Sequence, residues 1–111
     1  MIAVIFEVEP KQDGMENYLE RAARLRDELE QIEGFISVER FQSLTQPEKL
    51  LSLSFFEDEA AVKRWRQHSQ HHSAQQAGRK SLFADYRIRI AHVMRDYGLN
   101  DRTQAPTGAP K

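Results

Sequence analysis

The hydrophobic positions change period repeatedly along the chain, and each change marks an element. Ile2, Val4, Phe6 and Val8 alternate with Ala3, Ile5 and Glu7, the period-two pattern that sends successive side chains to opposite faces of a sheet. This predicts a strand over residues 2–8, ended by Pro10, which has no N–H to give to a ladder. The period then lengthens. Met15, Tyr18, Leu19, Ala22, Leu25, Leu29 and Ile32 make one apolar stripe of a helix. Asp13, with Glu16 three residues on, reads as a variant capping box, and Gly34 as the stop. The other face carries Glu20/Arg24 and Arg26/Glu30, i,i+4 pairs worth about 0.2–0.5 kcal/mol each, so it is read as solvated surface.

Period two returns over residues 35–43 and 49–56, two strands joined by "LTQPE". In the second, Leu51, Leu53 and Phe55 alternate with Ser52, Ser54 and Phe56, and the first set is assigned to the core side. Asp58 is placed to cap a second helix containing Ala60, Ala61, Val62 and Trp65. That helix runs into a histidine-rich stretch and breaks at Gly78. Residues 83–98 predict a fourth strand, with Tyr86, Ile88, Ile90, His92 and Met94 facing one way and Arg87, Arg89, Ala91, Val93 and Arg95 the other. Residues 99–111 are polar and without period, and are expected to be a flexible tail on a domain of residues 1–98.

The predicted order is strand–helix–strand–strand–helix–strand, an α+β chain of the ferredoxin-like βαββαβ kind with an antiparallel sheet. Its helices cover one face of the sheet. The other face is apolar at several positions and needs cover, which a homodimer closing sheet on sheet supplies most simply.

Composition narrows the function classes. The 111 residues carry 16 Lys+Arg against 17 Asp+Glu, so no global field draws the chain to nucleic acid or to an anionic membrane. The absence of cysteine removes disulfides, thiolate metal sites and a cysteine nucleophile. The first residues lack the basic lead and cleavage site of a signal peptide, and no apolar run approaches the ~20 residues that span a bilayer. The expectation is a cytoplasmic protein with neither nucleic acid nor membrane as partner.

Candidate chemistry concentrates in "WRQHSQHHSAQQAGR", residues 65–79. His68 and His72 are four apart and His71 three from His68, a spacing that could bring two imidazoles to one metal ion. A site needs three or four ligands, the stretch holds no carboxylate and the chain no cysteine, so no metal is expected. Trp65, among small residues, is either a core aromatic locking helix to sheet or a wall of an apolar cavity for a flat substrate. Arg79 is either a cation favoured by a helix end or the stabiliser of a phenolate or enolate. Tyr86 either packs or lines a pocket. There is no local nucleophile–base–orienter motif and no glycine-rich phosphate loop.

Trp65, followed six residues later by His71, then by Ala74-Gln75 and Gly78-Arg79, then by "FADYRIRIAHVMRDYG", resembles the antibiotic biosynthesis monooxygenase family. "GFISVERFQS…EKLLSLSFFEDEAAVKRW" is similar to its middle section in order and spacing, and the resemblance covers about residues 1–98. It implies a dimeric α+β barrel with a pocket between each subunit's helices and sheet. The family includes cofactor-free oxygenases of phenolic polyketides or quinols, haem-degrading enzymes, and many members of unknown activity.

By that resemblance Trp65 falls on the tryptophan that lines the pocket, and His71 on a position where polyketide oxygenases carry a polar aromatic group. Haem degraders place their iron ligand ten residues after the tryptophan, and Gln75 stands there; an amide is a poor substitute for imidazole at haem iron. The family's asparagine is also missing, since Ala61 occupies its helix position and residues 1–9 hold none.

The resemblance therefore implies a small cofactor-independent monooxygenase that oxidises a phenolic or quinol-type aromatic with O2, needing neither haem nor metal. His71 would be the general base, suited by an ordinary imidazole pKa of about 6.5, and Arg79 would steady the phenolate. Trp65, His68 and Tyr86 would contact substrate. Two alternatives stand beside it. One is a non-catalytic dimeric binder of an aromatic or apolar ligand. The other is a haem-binding or haem-degrading protein using His68, His71 or His72 in a shifted register.

Overall fold

The computed structural model describes residues 1–75 and 83–108, with residues 70–75 described in their backbone only. The element order is β1 (Ile2–Pro10), α1 (Met15–Leu29), β2 (Phe35–Gln42), β3 (Leu50–Phe56), α2 (Glu59–Gln75) and β4 (Phe83–His92). The four strands form one sheet in the order β2-β3-β1-β4, every neighbouring pair antiparallel. This is the expected ferredoxin-like βαββαβ arrangement. Among the described residues no helix is long and apolar enough to cross a membrane.

The helices lie on the face that carries the even-numbered residues of β1. One buried cluster joins Ile2, Phe56 and Val38 of the sheet to Leu29 of α1 and to Ala61 and Val62 of α2. A second joins Val8 and Leu50 to Tyr18 and Ala22 of α1. Phe56 is fully buried, because it sits at the junction of β1, β2 and α2. Its ring meets Phe35 edge-on at 5.8 Å.

Four expectations are corrected. The first is the core side of β3. Ile2 pairs with Phe56, Val4 with Ser54 and Val8 with Leu50, so the even-numbered residues of β3 face the helices and Leu51, Leu53 and Phe55 face away. Ser54 is buried beneath the helices while the two leucines and Phe55 are half-buried on the uncovered face. Alternation identified the two faces, but both are apolar enough that composition assigned the wrong one to the core.

The second concerns the ends of α1. Gly14 holds the N-cap position, with no side-chain cap, so Asp13 and Glu16 fall one position out of phase for a capping box. The helix ends at Leu29, with Gln31 N–H donating to Glu28 C=O at 3.1 Å and Ile32 N–H to Leu29 C=O at 3.0 Å, the tightening common at a last turn. Gly34 lies beyond this, at φ +91°, and serves the entry to β2 instead.

Leu19, the third, is 44% exposed. It sits beside Tyr18 at the margin of a stripe narrower than predicted.

The fourth is the length of β4. It ends at His92, and Val93 N–H makes a closing bond to Met1 C=O at 3.0 Å. β1 starts at Ile2, so no partner strand continues past that point. Residues 96–105 instead bond among themselves, Asp96 N–H to Gln104 Oε1 at 2.7 Å and Gly98 N–H to Asp101 C=O at 2.8 Å.

Other local signals hold. Asp58 caps α2, its Oδ1 accepting from Ala61 N–H at 2.9 Å, and the Glu20–Arg24 and Arg26–Glu30 pairs form at 2.8 and 3.7 Å.

Candidate functional site

The cap at Asp58 sets the phase of α2, and that phase presents two sides to the rest of the chain. One side packs on the sheet and α1. Ala61 and Val62 are buried there, and Trp65 packs against the same cluster, half-buried. One turn on, the His68 ring stacks on the Trp65 indole, centroids 5.6 Å apart and planes 25° from parallel. His68 Nε2 lies 3.6 Å from Glu28 Oε2 of α1, an ion pair when the imidazole is protonated. Trp65, His68 and Glu28 thus form an aromatic–imidazole–carboxylate line joining the two helices. An imidazole held between a ring and a carboxylate can accept a proton and keep the resulting charge neutralised.

The neighbouring side of α2 faces β4. Register puts Tyr86 opposite Val8, Ile88 opposite Phe6 and Ile90 opposite Val4, so all three share one side of the strand, as predicted, and that side is the helix-bearing face. They nonetheless remain 58%, 52% and 52% exposed, because β4 is the edge strand of the sheet and α2 stands off from it. Between α2 and this strand is an open cleft of about 390 Å³, lined by Glu59, Ala60, Val62, Lys63, Arg66 and Ile90. Its floor is apolar and its α2 rim charged.

At the far end of the same strand, Tyr86 meets Phe6 edge-on at 5.8 Å and Phe83 at 6.0 Å, and Phe83 meets Tyr18 at 5.9 Å. Tyr86 therefore belongs to an aromatic cluster with Phe6 and Phe83 while more than half of its surface stays exposed.

Of the residues singled out from sequence, the structure brings Trp65 and His68 together and sets Tyr86 near the other end of the helix-bearing face. His71 and His72 lie in the last turns of α2, and their side chains, with that of Gln75, are outside the described residues. Arg79 and Gly78 are outside them entirely. Among the described residues no group of three histidines or carboxylates is placed to hold a metal ion. Sequence reasoning missed Lys63, Arg66 and Glu28. The first two were legible as the i, i+3/i+4, i+7 series Glu59, Val62–Lys63, Arg66. Glu28 was not, since only tertiary packing brings it to His68.

Fold and site together define a ferredoxin-like α+β domain with an apolar-floored, charge-rimmed cleft between its second helix and an edge strand. The family model of antibiotic biosynthesis monooxygenase matches residues 1–77, and the chain belongs to that family. It is 41% identical over 107 residues to the jasmonate monooxygenase ABM of Pyricularia oryzae, covering 96% of this chain and 50% of that protein. The chain thus spans half the length of that relative.

Solved structures agree on the fold. Rv0793 from Mycobacterium tuberculosis superposes with a TM-score of 0.74 at 15% identity, covering 87% of this chain and 98% of that one. MhuD with manganese protoporphyrin IX bound superposes at 0.69 and 17% identity, covering 88% and 99%.

Proposed function

We propose that the chain is a small monooxygenase that oxidises a ring-bearing, largely apolar molecule with O2 and requires no cofactor. The observation that carries this reading is the open cleft between α2 and β4, with Val62 and Ile90 as its apolar floor, on a helix bearing a tryptophan and histidines, in a member of a monooxygenase family. The relative named for jasmonate adds that molecule to the substrates worth testing, next to phenols and quinols.

In this reading the substrate lies on Ile88 and Ile90 against α2, near Trp65 and Tyr86. A histidine of α2 removes a phenolic proton, and Arg79 steadies the phenolate. The electron-rich ring then reduces O2 itself. For a hydroquinone, one oxygen atom ends in a hydroxyquinone and the other in water, and the substrate supplies all four electrons. His71 is the base to which the resemblance points. His68 is a second candidate, favoured by its stack on Trp65 and its approach to Glu28. The uncovered sheet face closes on a second copy, and the protein works in the cytoplasm.

Oxygen uptake with a panel of hydroquinones and jasmonate tests this. The expected result is turnover by the wild type, abolished in His71→Ala and retained in His68→Ala. The reverse pattern transfers the role to His68. No uptake with any member of the panel would leave the second reading, an aromatic-ligand binder. A Soret shift on adding haem would favour the haem alternative.

A further inference from the structure

We propose that the cleft between α2 and β4 selects small amphipathic carboxylates, with Lys63 and Arg66 as the anchor for the carboxylate. The inference rests on the reading of this cleft as the substrate site and adds the chemical class of what enters it.

Three observations carry it. The first is the lining: Val62 and Ile90 form an apolar bed, and Lys63 and Arg66 stand on the rim directly beside it. A ligand that uses both surfaces must join an apolar body to an anionic head.

The second is that both cations are uncommitted among the described residues. Arg24, Arg26 and Arg89 engage carboxylates, and Arg64 donates to Glu33 C=O at 2.7 Å. Lys63 and Arg66 have no such partner among the described residues. Glu59, four residues before Lys63, is placed for an i,i+4 pair and does not make one. A guanidinium also offers a planar fork matched to a carboxylate.

The third is the charge balance. Among the described residues two cations and the carboxylate of Glu59 line the same cleft, which leaves one net positive charge. That matches a single negative charge better than a phosphate dianion, and Glu59 penalises the dianion further by repulsion.

The test is equilibrium binding under anaerobic conditions, by calorimetry on the full chain at low ionic strength, with phenylbutanoate, its methyl ester and phenylbutyl phosphate. The expected result is that the acid binds about tenfold more tightly than the ester, a difference of about 1.4 kcal/mol. The preference should shrink with added salt, because the pair is exposed. Lys63→Gln with Arg66→Gln should erase it, and Lys63→Arg with Arg66→Lys should keep it. Both positions are exposed, so circular dichroism is expected to show these variants folded. Equal affinity for acid and ester, binding of neither, or a preference surviving the double glutamine variant would overturn the proposal. Tighter binding of the phosphate would overturn the carboxylate assignment. Binding without O2 is independent of turnover, so a failed oxygenase assay and a failed anchor are read separately.

Discussion

Gly34 shows how much one position can hold in this chain. Its backbone sits at φ +91°, and a Cβ built there would lie 2.6 Å from the Cβ of Ala61. The close approach brings the start of α2 onto the entry to β2, where Gly34 C=O accepts from Glu57 N–H at 2.7 Å. Gly34→Ala therefore combines a left-handed conformation with overpacking, and is expected to cost about 2–4 kcal/mol, read as a lowered urea midpoint. A midpoint within error of the wild type would refute the close-packing account. The glycine was visible in the sequence as a break. Its purpose was not, because Ala61 lies 27 residues away and meets it only in the folded chain.

At the scale of elements, Glu7 ties three strands together on the uncovered face. Its carboxylate lies 3.5 Å from Lys49 Nζ at the start of β3 and 3.5 Å from Arg89 Nη1 on β4. The positive charge of Lys49 lowers its pKa most, partial desolvation opposes this, and Arg89 lowers it further. A carboxyl whose native pKa is depressed stabilises the fold above the ordinary carboxylate range, and that contribution is lost as pH falls through the lowered native value. The stability difference between wild type and Glu7→Gln is therefore expected to be largest near neutral pH and to narrow in acid, as followed by urea unfolding. A difference independent of pH would show that the ion cluster contributes nothing.

Elements were also where the sequence was most legible. Period located all six elements and Asp58 was read correctly as a cap, while α1 ended early in a tightened last turn and β4 ended where its partner β1 begins at Ile2.

For the whole molecule, the decisive feature is the asymmetry of the two sheet faces. Both helices cover one, and the other leaves Ile5, Leu51, Leu53 and Phe55 half-buried, with Ile36 and Phe41 more open. Apolar area of this kind, rimmed by Glu7, Arg87, Arg89 and Glu39, is typical of an interaction surface. The proposed pairing of two copies through it predicts twice the 12.9 kDa chain mass by light scattering on a sizing column. Leu53→Glu, at the centre of the face, is expected to halve that mass while leaving the helical circular dichroism intact. A wild-type monomer at micromolar concentration would remove the pairing.

The sequence by itself determined the element order, the fold class, the cap of α2, and that Tyr86, Ile88 and Ile90 share one side of β4. All of these depend on period and on residues a few positions apart. Only the tertiary structure decided which face of β3 is the core, since that depends on the register Ile2–Phe56 and not on which face is more apolar. It also decided that Glu28 meets His68 and that Lys63 and Arg66 border the cleft along β4. Those contacts join residues far apart in the chain, and they exist because the Asp58 cap and the close approach at Gly34 fix how α2 lies on the sheet.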